Sequence, residues 1–406
     1  MASNTIEIFE LGQIISAITP PKKIQTSDFL ERGDFPIIDQ SVGEIAGWIN
    51  DESALVHPPE EGLIVFGDHT CVLKFLTEPF AQGADGIKII KVKKGIDPYF
   101  VFAHLTAFPL LNDGYKRHFS ELKRLRIRVP DLKSQTAIAQ FRHTIDSKIA
   151  VNEALCKTLE ELAVTIFNSW FISFDPIKAK IAGESPAFMD DVTAALFPGS
   201  MDESELGLIP KGWSAAQLNS VLILHKVIVK AGIETEFVPY VPVDQISSKE
   251  IFLKSSAPGD LAKTSLVSFM KNDILFGAMR PYFHKVTLAP FDGTTRTTTF
   301  VLRPKNQQYL AFGLFTVFQE RAVAYATSHA QGSTIPYAVW NNSFENFPTV
   351  VPTLEIASEF NKLVKPMIEY GYSLVTENRE LVQLRDSLLP RLISGELEIP
   401  EDMLAS

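Results

Sequence analysis

The longest hydrophobic pattern in the chain runs from Ser134 to Phe171, where apolar residues recur at helical spacing without an internal Gly or Pro. Such a stretch predicts one long helix. Written as heptads, one position holds Ile138, Ile145, Asn152, Leu159 and Ile166, and a second holds Phe141, Lys148, Leu155, Leu162 and Ser169. Two apolar heptad positions are typical of a helix that pairs with another helix.

A second heptad pattern near the end of the sequence supplies the expected partner. It consists of Phe360, Met367, Leu374, Leu381 and Leu388, with Leu363, Tyr370 and Leu384 beside them. At about 1.5 Å per residue, a helix of this length extends roughly 57 Å, which is more than a small domain needs. We therefore favour a paired spacer over two ordinary core helices.

Two residues interrupt these patterns. Asn152 at a heptad position either fixes the register and the partner or is solvated. Pro366 lacks a backbone donor and predicts a kink or a late helix start near Met367.

Short sequence words recur in the same order in both halves of the chain. Tyr99 to Phe108 matches Tyr309 to Phe318, and Ile64-Val65-Phe66-Gly67 matches Ile274-Leu275-Phe276-Gly277. Val129-Pro130 recurs as Val351-Pro352, immediately before each long helix. The sequence therefore predicts a duplicated unit of one globular domain followed by one helix.

Within each globular part, β-branched and aromatic runs alternate with turn residues, which predicts strands at 35–38, 63–66, 87–92, 237–243, 274–276 and 297–302. Helices are predicted at 99–108 and 309–325. The fold class is therefore α+β. The predicted divisions are a first globular domain at 1–130, a first long helix at 131–175, an irregular exposed linker at 176–212, a second globular domain at 213–350, and a second long helix with tail at 351–400.

Composition narrows the class of protein. With 406 residues, 46% hydrophobic and 21% charged, the chain can build more than one core. Only Cys71 and Cys156 are present, so a reducing cytoplasm is expected rather than a disulfide framework. The polar start predicts no signal peptide, and the longest apolar runs, near ten residues, predict no membrane span.

Several local words carry a family resemblance. They are Leu159 to Ala163 with Trp170-Phe171 and Phe174-Asp175-Pro176, Asp273 to Phe276 with Arg280-Pro281, Gly332 to Pro336, and Leu388 to Leu397. With the duplicated layout, they make the chain resemble the DNA-specificity subunit of a type I restriction-modification system over essentially its whole length. A Gln just after the Pro-containing strand, usual in that family, is Gln135 in the first half but has no counterpart near Glu355.

The resemblance implies two similar target-recognition domains, related as a pseudo-two-fold repeat and joined by two long antiparallel helices that form a coiled coil. Each domain would read one half of a split site in double-stranded DNA. The helices would bind methyltransferase (modification) subunits, two in number, with restriction or translocase subunits in the same complex. No cofactor is expected in this chain, because S-adenosylmethionine, ATP and Mg would belong to partner subunits.

Net charge argues against DNA binding, since it is −10 and phosphate contacts need Lys and Arg. Residues 182–206 alone carry −6, however, whereas 207–350 carry +4. In the first domain, Lys116, Arg117 and His118 follow the turn residues Asn112 and Gly114, so we expect them to contact bases or phosphates. Arg126 and Arg128 alternate with apolar residues and are either DNA contacts or solvated strand residues.

The second domain offers three groups of candidates. Arg can bind guanine through two hydrogen bonds, and Thr offers a hydroxyl and a methyl group, although any one Thr is more often an ordinary strand residue. The candidates are Arg280, Tyr282, His284 and Lys285 after a predicted strand, Thr295, Arg296 and Thr297 after a turn, and Gln331, Ser333 and Thr334 in a loop longer than its counterpart.

The sequence lacks the motifs of the expected enzymes. An Asn-Pro-Pro-Tyr tetrapeptide and a P-loop are absent, and the His and Cys residues have no metal-ligand spacing. A Ser-His-Asp triad stays open, although no Gly-x-Ser-x-Gly occurs. We therefore expect a non-catalytic chain without a metal site. The alternatives are a specificity subunit of a methylation-only or type IIB-like system, or a self-contained DNA-modifying enzyme with an unrecognised site.

Overall fold

The computed structural model of the chain describes residues 6–83, 86–112, 114 and 116–404. Its contacts divide the protein into two compact units. The first unit is Met1–Ile149 with Arg379–Ser406, and the second unit is Ala150–Asn378. Each unit therefore contains part of both long helices.

Among its described residues, the first unit has three sheets. Its strands are β1 Glu7–Glu10, β2 Ile15–Ile18, β3 Lys23–Ile24, β4 Phe35–Ile38, β5 Gly47–Ile49, β6 Leu55–Val56, β7 Leu63–Gly67, β8 Leu73–Leu76, β9 Phe80–Gly83, β10 Ile87–Val92 and β11 Arg126–Val129. An antiparallel sheet has the order β2-β10-β7-β8, a mixed sheet has the order β3-β9-β4-β5 with β6 also on β9, and β1 pairs with β11. The helices are α1 Leu11–Ile14, α2 Pro98–Ala107, α3 Phe119–Arg124 and the long α4 Leu132–Phe167.

The second unit continues from a π-helical turn at Asn168–Ile172. Its helices are α5 Asp175–Ile181, α6 Asp191–Leu196, α7 Leu310–Phe318, α8 Glu320–Ser328 and the long α9 Leu354–Ser394, while α10 Glu401–Leu404 lies in the first unit. Its strands are β12 Met201–Ser204, β13 Gly207–Pro210, β14 Ser214–Gln217, β15 Leu222–Leu224, β16 Ile228–Lys230, β17 Tyr240–Val241, β18 Ser265–Phe269, β19 Ile274–Gly277, β20 Val286–Leu288, β21 Gly293–Arg296, β22 Thr299–Pro304 and β23 Pro348–Val351.

The strand order of the second unit repeats that of the first. The sheet β15-β22-β19-β20 matches β2-β10-β7-β8, the pair β14-β23 matches β1-β11, and the parallel pair β17-β21 matches β4-β9. The order β16-β18-β21-β17 and the hairpin β12-β13 complete the unit. The α+β class and the duplication predicted from the sequence are therefore confirmed within the described residues.

The matching central strands β7 and β19 are buried on both faces. In β19, Ile274 and Phe276 join a core with α7, while Leu275 points into a second core with Val241 and Val301. Side chains of a strand alternate between its two faces, so an uninterrupted apolar run is what a strand between two cores requires.

Several sequence-predicted elements are confirmed and others are wrong. Strands at 35–38, 63–66, 87–92 and 274–276 and the helix at 99–108 are present, but the strand predicted at 237–243 is reduced to Tyr240–Val241, and 297–302 becomes Thr299–Pro304. The helix predicted at 309–325 is two helices, because Gln319 is extended (φ −63°, ψ 143°) between α7 and α8.

The linker predicted to be irregular is instead a folded segment. It contains α5, α6 and the hairpin β12-β13, and it buries Ile177, Phe197 and Ile209. Asp190 caps α6 by accepting the Thr193 N–H at 2.8 Å. Lys180 donates to the carbonyls of Ala194 and Phe197. Pro176 lies in the first turn of α5 and Gly207 begins β13, so breaks in the sequence pattern did not mean absence of structure.

Both long helices are continuous. Asp131 accepts the N–H and hydroxyl of Ser134 at the start of α4. The late start expected at Met367 is wrong, because α9 begins at Leu354 and Pro366 lies inside it on an exposed face, where water can solvate the carbonyl that proline leaves unpaired. Among the described helices, none combines the length and the apolar character needed to cross a bilayer.

Within each unit, the segments of α4 and α9 contact each other in antiparallel order. In the second unit, the buried Asn152 donates from Nδ2 to Glu377 Oε2 and Asn378 Oδ1, both at 2.8 Å, and Cys156 Sγ donates to the Gly371 carbonyl at 3.4 Å. In the first unit, Arg385 pairs with Asp146 at 2.8 Å. Asn152 is therefore a buried pairing residue and is not solvated.

The second heptad position was assigned one residue too early. Leu162 is 45% exposed and Lys148 is exposed, whereas Cys156 and Ala163 are buried. In α9, Leu363, Tyr370 and Leu384 are likewise exposed, and the residues directly after Leu363 and Tyr370, which are Val364 and Gly371, are buried. Of the other residues chosen for pairing, Ile145, Phe360 and Leu374 are buried, and Leu159, Ile166, Met367, Leu381 and Leu388 are half-buried. Small residues let two helix backbones approach closely, and a search for large apolar side chains passes over them.

Each long helix also holds the short helix of a globular part through a side-chain amide. Gln135 accepts the Asp97 N–H at 2.9 Å at the start of α2 and donates to the Pro130 carbonyl at 2.8 Å. In the second unit, Asn361 accepts the Ala311 N–H at 3.2 Å in the first turn of α7. The Gln that has no counterpart near Glu355 is thus replaced by an Asn slightly later in the helix.

Candidate nucleic-acid interface

Three segments of the second unit that are distant in sequence meet at one surface. They are the β19–β20 connection (278–285), the β21–β22 turn (297–298) and the loop after α8 (329–337). Thr298 accepts the N–H groups of Ala278 and Met279 at 2.9 and 3.3 Å, and Pro336 accepts that of Arg280 at 2.7 Å. Gln331 and Tyr337 exchange both backbone hydrogen bonds, at 2.9 and 2.8 Å. Backbone hydrogen bonds therefore bring together three groups of residues that the sequence offered separately.

The second-unit surface is defined as seven of the predicted contact residues, which lie on these segments or directly beside them. Six of them are exposed and Arg280 is half-buried. They are Arg280, Tyr282, Arg296, Thr297, Gln331, Ser333 and Thr334. The set combines guanidinium, hydroxyl and amide groups, which are the groups that hydrogen-bond to base edges and phosphates.

Three predicted contact residues are wrong, because their side chains are directed into the protein and hydrogen-bond to backbone carbonyls. His284 is buried, and its Nε2 donates to the Phe318 carbonyl at 2.8 Å. Burial lowers the pKa of His284, which favours the neutral ring. Thr295 is fully buried and donates to the Val241 carbonyl at 2.6 Å, and Lys285 donates to the Val243 carbonyl at 2.8 Å. Along β21, Thr295 points inward and Arg296 outward, as strand alternation requires.

The first unit repeats two of the backbone hydrogen bonds that organise this surface. Asp68 donates to Gly86 at 2.7 Å as Ala278 donates to Thr298, and His118 donates to Asp68 at 2.8 Å as Ala338 donates to Ala278 at 2.7 Å. The segment that ends at His118 therefore occupies the place of the 329–337 loop.

The described part of this segment is exposed and basic. Lys116 and Arg117 are exposed, and Lys116 Nζ pairs with Glu121 at 2.7 Å, a solvent-exposed ion pair. Asn112 Nδ2 donates to the His69 carbonyl at 3.0 Å, and the His69 ring lies 3.1 Å from the Lys116 carbonyl. Lys116 and Arg117, together with Asn112, define the first-unit surface.

His118 is not a contact residue. It is fully buried, with its Nδ1 3.2 Å from the Asp68 carbonyl, and it directly precedes α3. Arg126 and Arg128 are exposed on β11 while Ile127 and Val129 are buried, and Arg126 lies opposite Glu10. These two arginines are therefore solvated strand residues on a different sheet.

Sequence reasoning missed two residues near the two surfaces, Lys88 and Phe283. In the first unit, Lys88 and Lys123 flank the Phe119 ring, with Nζ 5.8 and 5.3 Å from its centroid. Alternation along β10 places Lys88 outward, a signal that was present in the sequence. In the second unit, Phe283 is exposed beside Tyr282, and its place in a proline-containing turn indicated as much.

The described residues offer no candidate metal site. Across the residues that the structure describes, no three His, Cys, Asp or Glu side chains are grouped as metal ligands would be.

Comparison with known proteins adds the family context. The family model for the type I restriction modification DNA specificity domain matches residues 3–161. The HindI specificity subunit of a type I restriction enzyme from Haemophilus influenzae is 23% identical over 323 residues, covering 69% of this chain and 70% of that protein. The MjaIX specificity subunit from Methanocaldococcus jannaschii is 25% identical over 292 residues, covering 70% of this chain and 63% of that protein.

A solved structure shares the fold. The crystal structure of a type I restriction-modification S subunit from M. genitalium matches with a TM-score of 0.54 at 13% sequence identity, covering 97% of both chains. At this identity, the likeness concerns the fold alone.

Proposed function

We propose that this chain is a specificity subunit of a type I restriction-modification system, the family that the comparisons indicate, and that it reads a bipartite DNA target, one half with the surface of each unit. One observation carries the proposal. The same pair of backbone hydrogen bonds positions an exposed loop in both units; the loop carries Lys116 and Arg117 in the first unit, and in the second it carries Gln331, Ser333 and Thr334 beside Arg280. A common frame with different side chains suits two readers of two different half-sites.

The two surfaces suit different kinds of contact. Arg280 and Arg296 can each donate two hydrogen bonds to a guanine, and Gln331 can pair with an adenine edge. The first-unit surface contains Lys116 and Arg117, and the point charge of a Lys suits phosphate contacts that set orientation. The acidic residues of 182–206 lie outside both surfaces, which removes the objection raised by the net charge.

The proposal assigns the remaining tasks to the helices and to partner chains. The paired helices act as a coiled-coil spacer between the half-sites and bind two methyltransferase subunits. Restriction or translocase subunits join the same complex. S-adenosylmethionine, ATP and Mg act on those partners, and this chain contributes recognition without catalysis.

The test is DNA binding by the chain assembled with its modification subunits. Arg296→Ala should lower the affinity for the target by about 1 to 3 kcal/mol if the guanidinium makes a paired base contact. The loss should disappear on DNA whose second half-site is already changed. Lys211→Ala is the matched control, because Lys211 is exposed in the same unit away from the second-unit surface. Equal losses in both variants would mean that Arg296 contributes charge and no base readout.

The chain alone also separates the alternatives. A homogeneous preparation that transfers methyl groups without added subunits would establish a self-contained enzyme. ATP-dependent cleavage after addition of a restriction subunit would distinguish a full restriction system from a methylation-only one.

A further inference from the structure

Two large aromatic side chains stand exposed next to each other in the second unit. Tyr282 is 50% exposed and Phe283 46% exposed, and their ring centroids are 4.8 Å apart. Adjacent exposed rings of this size mark a surface that binds something. They lie in the middle of the β19–β20 connection, beside Arg280 of the second-unit surface.

The turn that carries these rings is held rigidly. Arg280 and His284 flank it, and both have left-handed backbone conformations (φ 50° and 51°), which are strained for residues with a side chain. The Phe283 carbonyl accepts the Ser248 hydroxyl at 2.7 Å, and the His284 carbonyl accepts the Lys249 N–H at 2.8 Å. The buried His284 ring is bonded to the Phe318 carbonyl. These hydrogen bonds therefore hold the turn so that the two rings point outward.

The neighbouring groups indicate which kind of partner the rings fit. The Arg280 N–H is bonded to Pro336, and Met279 forms a bridge with Tyr337, so the 331–334 loop adjoins the turn. That loop is Gln-Gly-Ser-Thr and exposed. The pair is bordered by Arg280 and by the polar residues of this loop, and the exposed Ile335 and Tyr337 follow them. Such a mixture of apolar rings and polar groups suits nucleic-acid bases, which combine apolar faces with polar edges.

We propose that Tyr282 and Phe283 form an aromatic wedge that packs against bases of the half-site read by the second unit and opens a base step there. The inference rests on the proposed function and goes beyond it, because it assigns a deformation of the DNA to one half-site. The corresponding connection of the first unit, 68–72, is Asp-His-Thr-Cys-Val and contains no Phe, Tyr or Trp. The wedge therefore belongs to one half of the target only.

A wedge has a distinctive energetic signature. Opening a base step opposes binding, and ring–base contact offsets that opposition. A mismatch or an abasic position weakens stacking in advance. DNA weakened at the right step should therefore bind more tightly than intact DNA, and it should restore part of the affinity that a variant without the rings has lost.

The experiment measures the affinity of the assembled complex for duplexes that carry a single mismatch at each position of both half-sites in turn. Tyr282→Ala/Phe283→Ala should bind the intact target at least about tenfold more weakly than wild type. A mismatch at one step of the second half-site should restore part of this loss, and mismatches in the first half-site should not. Tyr282→Phe/Phe283→Tyr keeps both rings and should lose much less affinity than the double-alanine variant. Phe188→Ala, which removes a fully exposed ring elsewhere in the same unit, is the control.

Each other outcome decides against the wedge. Normal affinity of the double-alanine variant, or weakened affinity that no mismatch restores, overturns it. Normal DNA affinity with loss of the modification subunits would show that the rings dock a protein. If the wild-type complex binds no specific DNA at all, the proposed function fails and the wedge with it, whereas a flat mismatch profile on a bound target refutes the wedge alone.

Discussion

A carboxylate on α4, that of Glu160, makes the stability of the second unit depend on pH, and its contacts give the direction of this dependence. The pKa of Glu160 is raised from 4.5 to about 7, mainly by burial, with the nearby charges of Glu250 and Glu161 acting in the same direction and the hydrogen bond that Glu160 Oε2 accepts from the Ile251 N–H at 2.7 Å opposing them. The bond ties the long helix to the loop before β18. Above neutral pH, the folded unit therefore holds a charge that its surroundings disfavour.

The sign and size of the pH effect on the free energy of unfolding follow from proton linkage. Because the folded pKa lies above the unfolded one, the stability associated with Glu160 is fully present below pH 4.5 and is lost as pH rises through about 7. The two values correspond to at most about 3 kcal/mol, and solvent screening of a partly exposed carboxylate reduces that figure. Glu160→Gln removes the charge while leaving an oxygen that can accept the Ile251 N–H.

The assay is denaturant unfolding of the full chain followed by tryptophan fluorescence, since Trp170, Trp213 and Trp340 lie in the second unit and only Trp48 lies in the first. The variant should be more stable than wild type at pH 8, with the difference shrinking towards pH 5. Glu153→Gln, at an exposed position of the same helix whose charge is not among the causes of the Glu160 shift, is the control and should change stability by less than about 0.5 kcal/mol at either pH. A Glu160→Gln curve parallel to wild type from pH 5 to pH 8 would refute the reasoning.

Other variants test the helix pairing and the first-unit surface. Gly371→Ala should destabilise the second unit by about 1 to 3 kcal/mol in the same unfolding assay, because the new Cβ would collide with the Phe252 ring; a gain of about 1 kcal/mol, the helix preference of Ala, would mean that the ring moves aside. Asn152→Ala removes a buried amide with two hydrogen bonds and should cost about 1 to 3 kcal/mol, and an unchanged midpoint would count against buried pairing. Arg117→Ala should weaken DNA binding by the complex equally on all sequences and reduce the salt slope by about 1, and a sequence-dependent loss would indicate base readout instead.

The duplication and the central strands could be predicted because they depend on patterns that side-chain type alone reveals. The words around Ile64 and Ile274 recur because the same strand lies between two cores in each unit. Long helices were equally accessible, since about ten turns of periodic apolar residues have no other ordinary interpretation.

The direction and burial of individual side chains were harder to predict than the type of each secondary-structure element. His284, Thr295 and His118 have side chains suited to DNA contact, yet each is buried and hydrogen-bonded to a backbone carbonyl. Alternation along β21 could have separated Thr295 from Arg296, but no sequence pattern shows that a loop histidine turns inward. The convergence of the three second-unit segments depends on backbone hydrogen bonds between distant residues, which periodicity does not encode.

The pairing of the two long helices shows how a heptad position can be assigned one residue too early. Heptads mark which helical positions repeat, and the choice between neighbouring positions rests on residue size. Here Cys156, Ala163 and Gly371 are buried while the larger Leu162 and Tyr370 are exposed. Close packing of two backbones favours the smaller residues, so size misled the assignment.

The central claim is that the globular parts read the half-sites and the paired helices set the gap between them. Inserting one heptad after Ala150 in α4 and one after Asn378 in α9 leaves the Asp146–Arg385 contact and the Asn152 contacts intact, because both insertions fall between them. Each heptad adds about 10.5 Å of helix. That length corresponds to roughly three base pairs at about 3.4 Å each.

The decisive measurement is the methylome of cells that carry this double insertion together with the modification subunits. The account predicts that both half-site sequences are unchanged and that the unspecified gap grows by about three base pairs, with reduced efficiency where added twist misaligns the two readers. A heptad in α4 alone should abolish methylation, since it displaces the paired residues from each other. Altered half-site bases with the original gap would contradict the account.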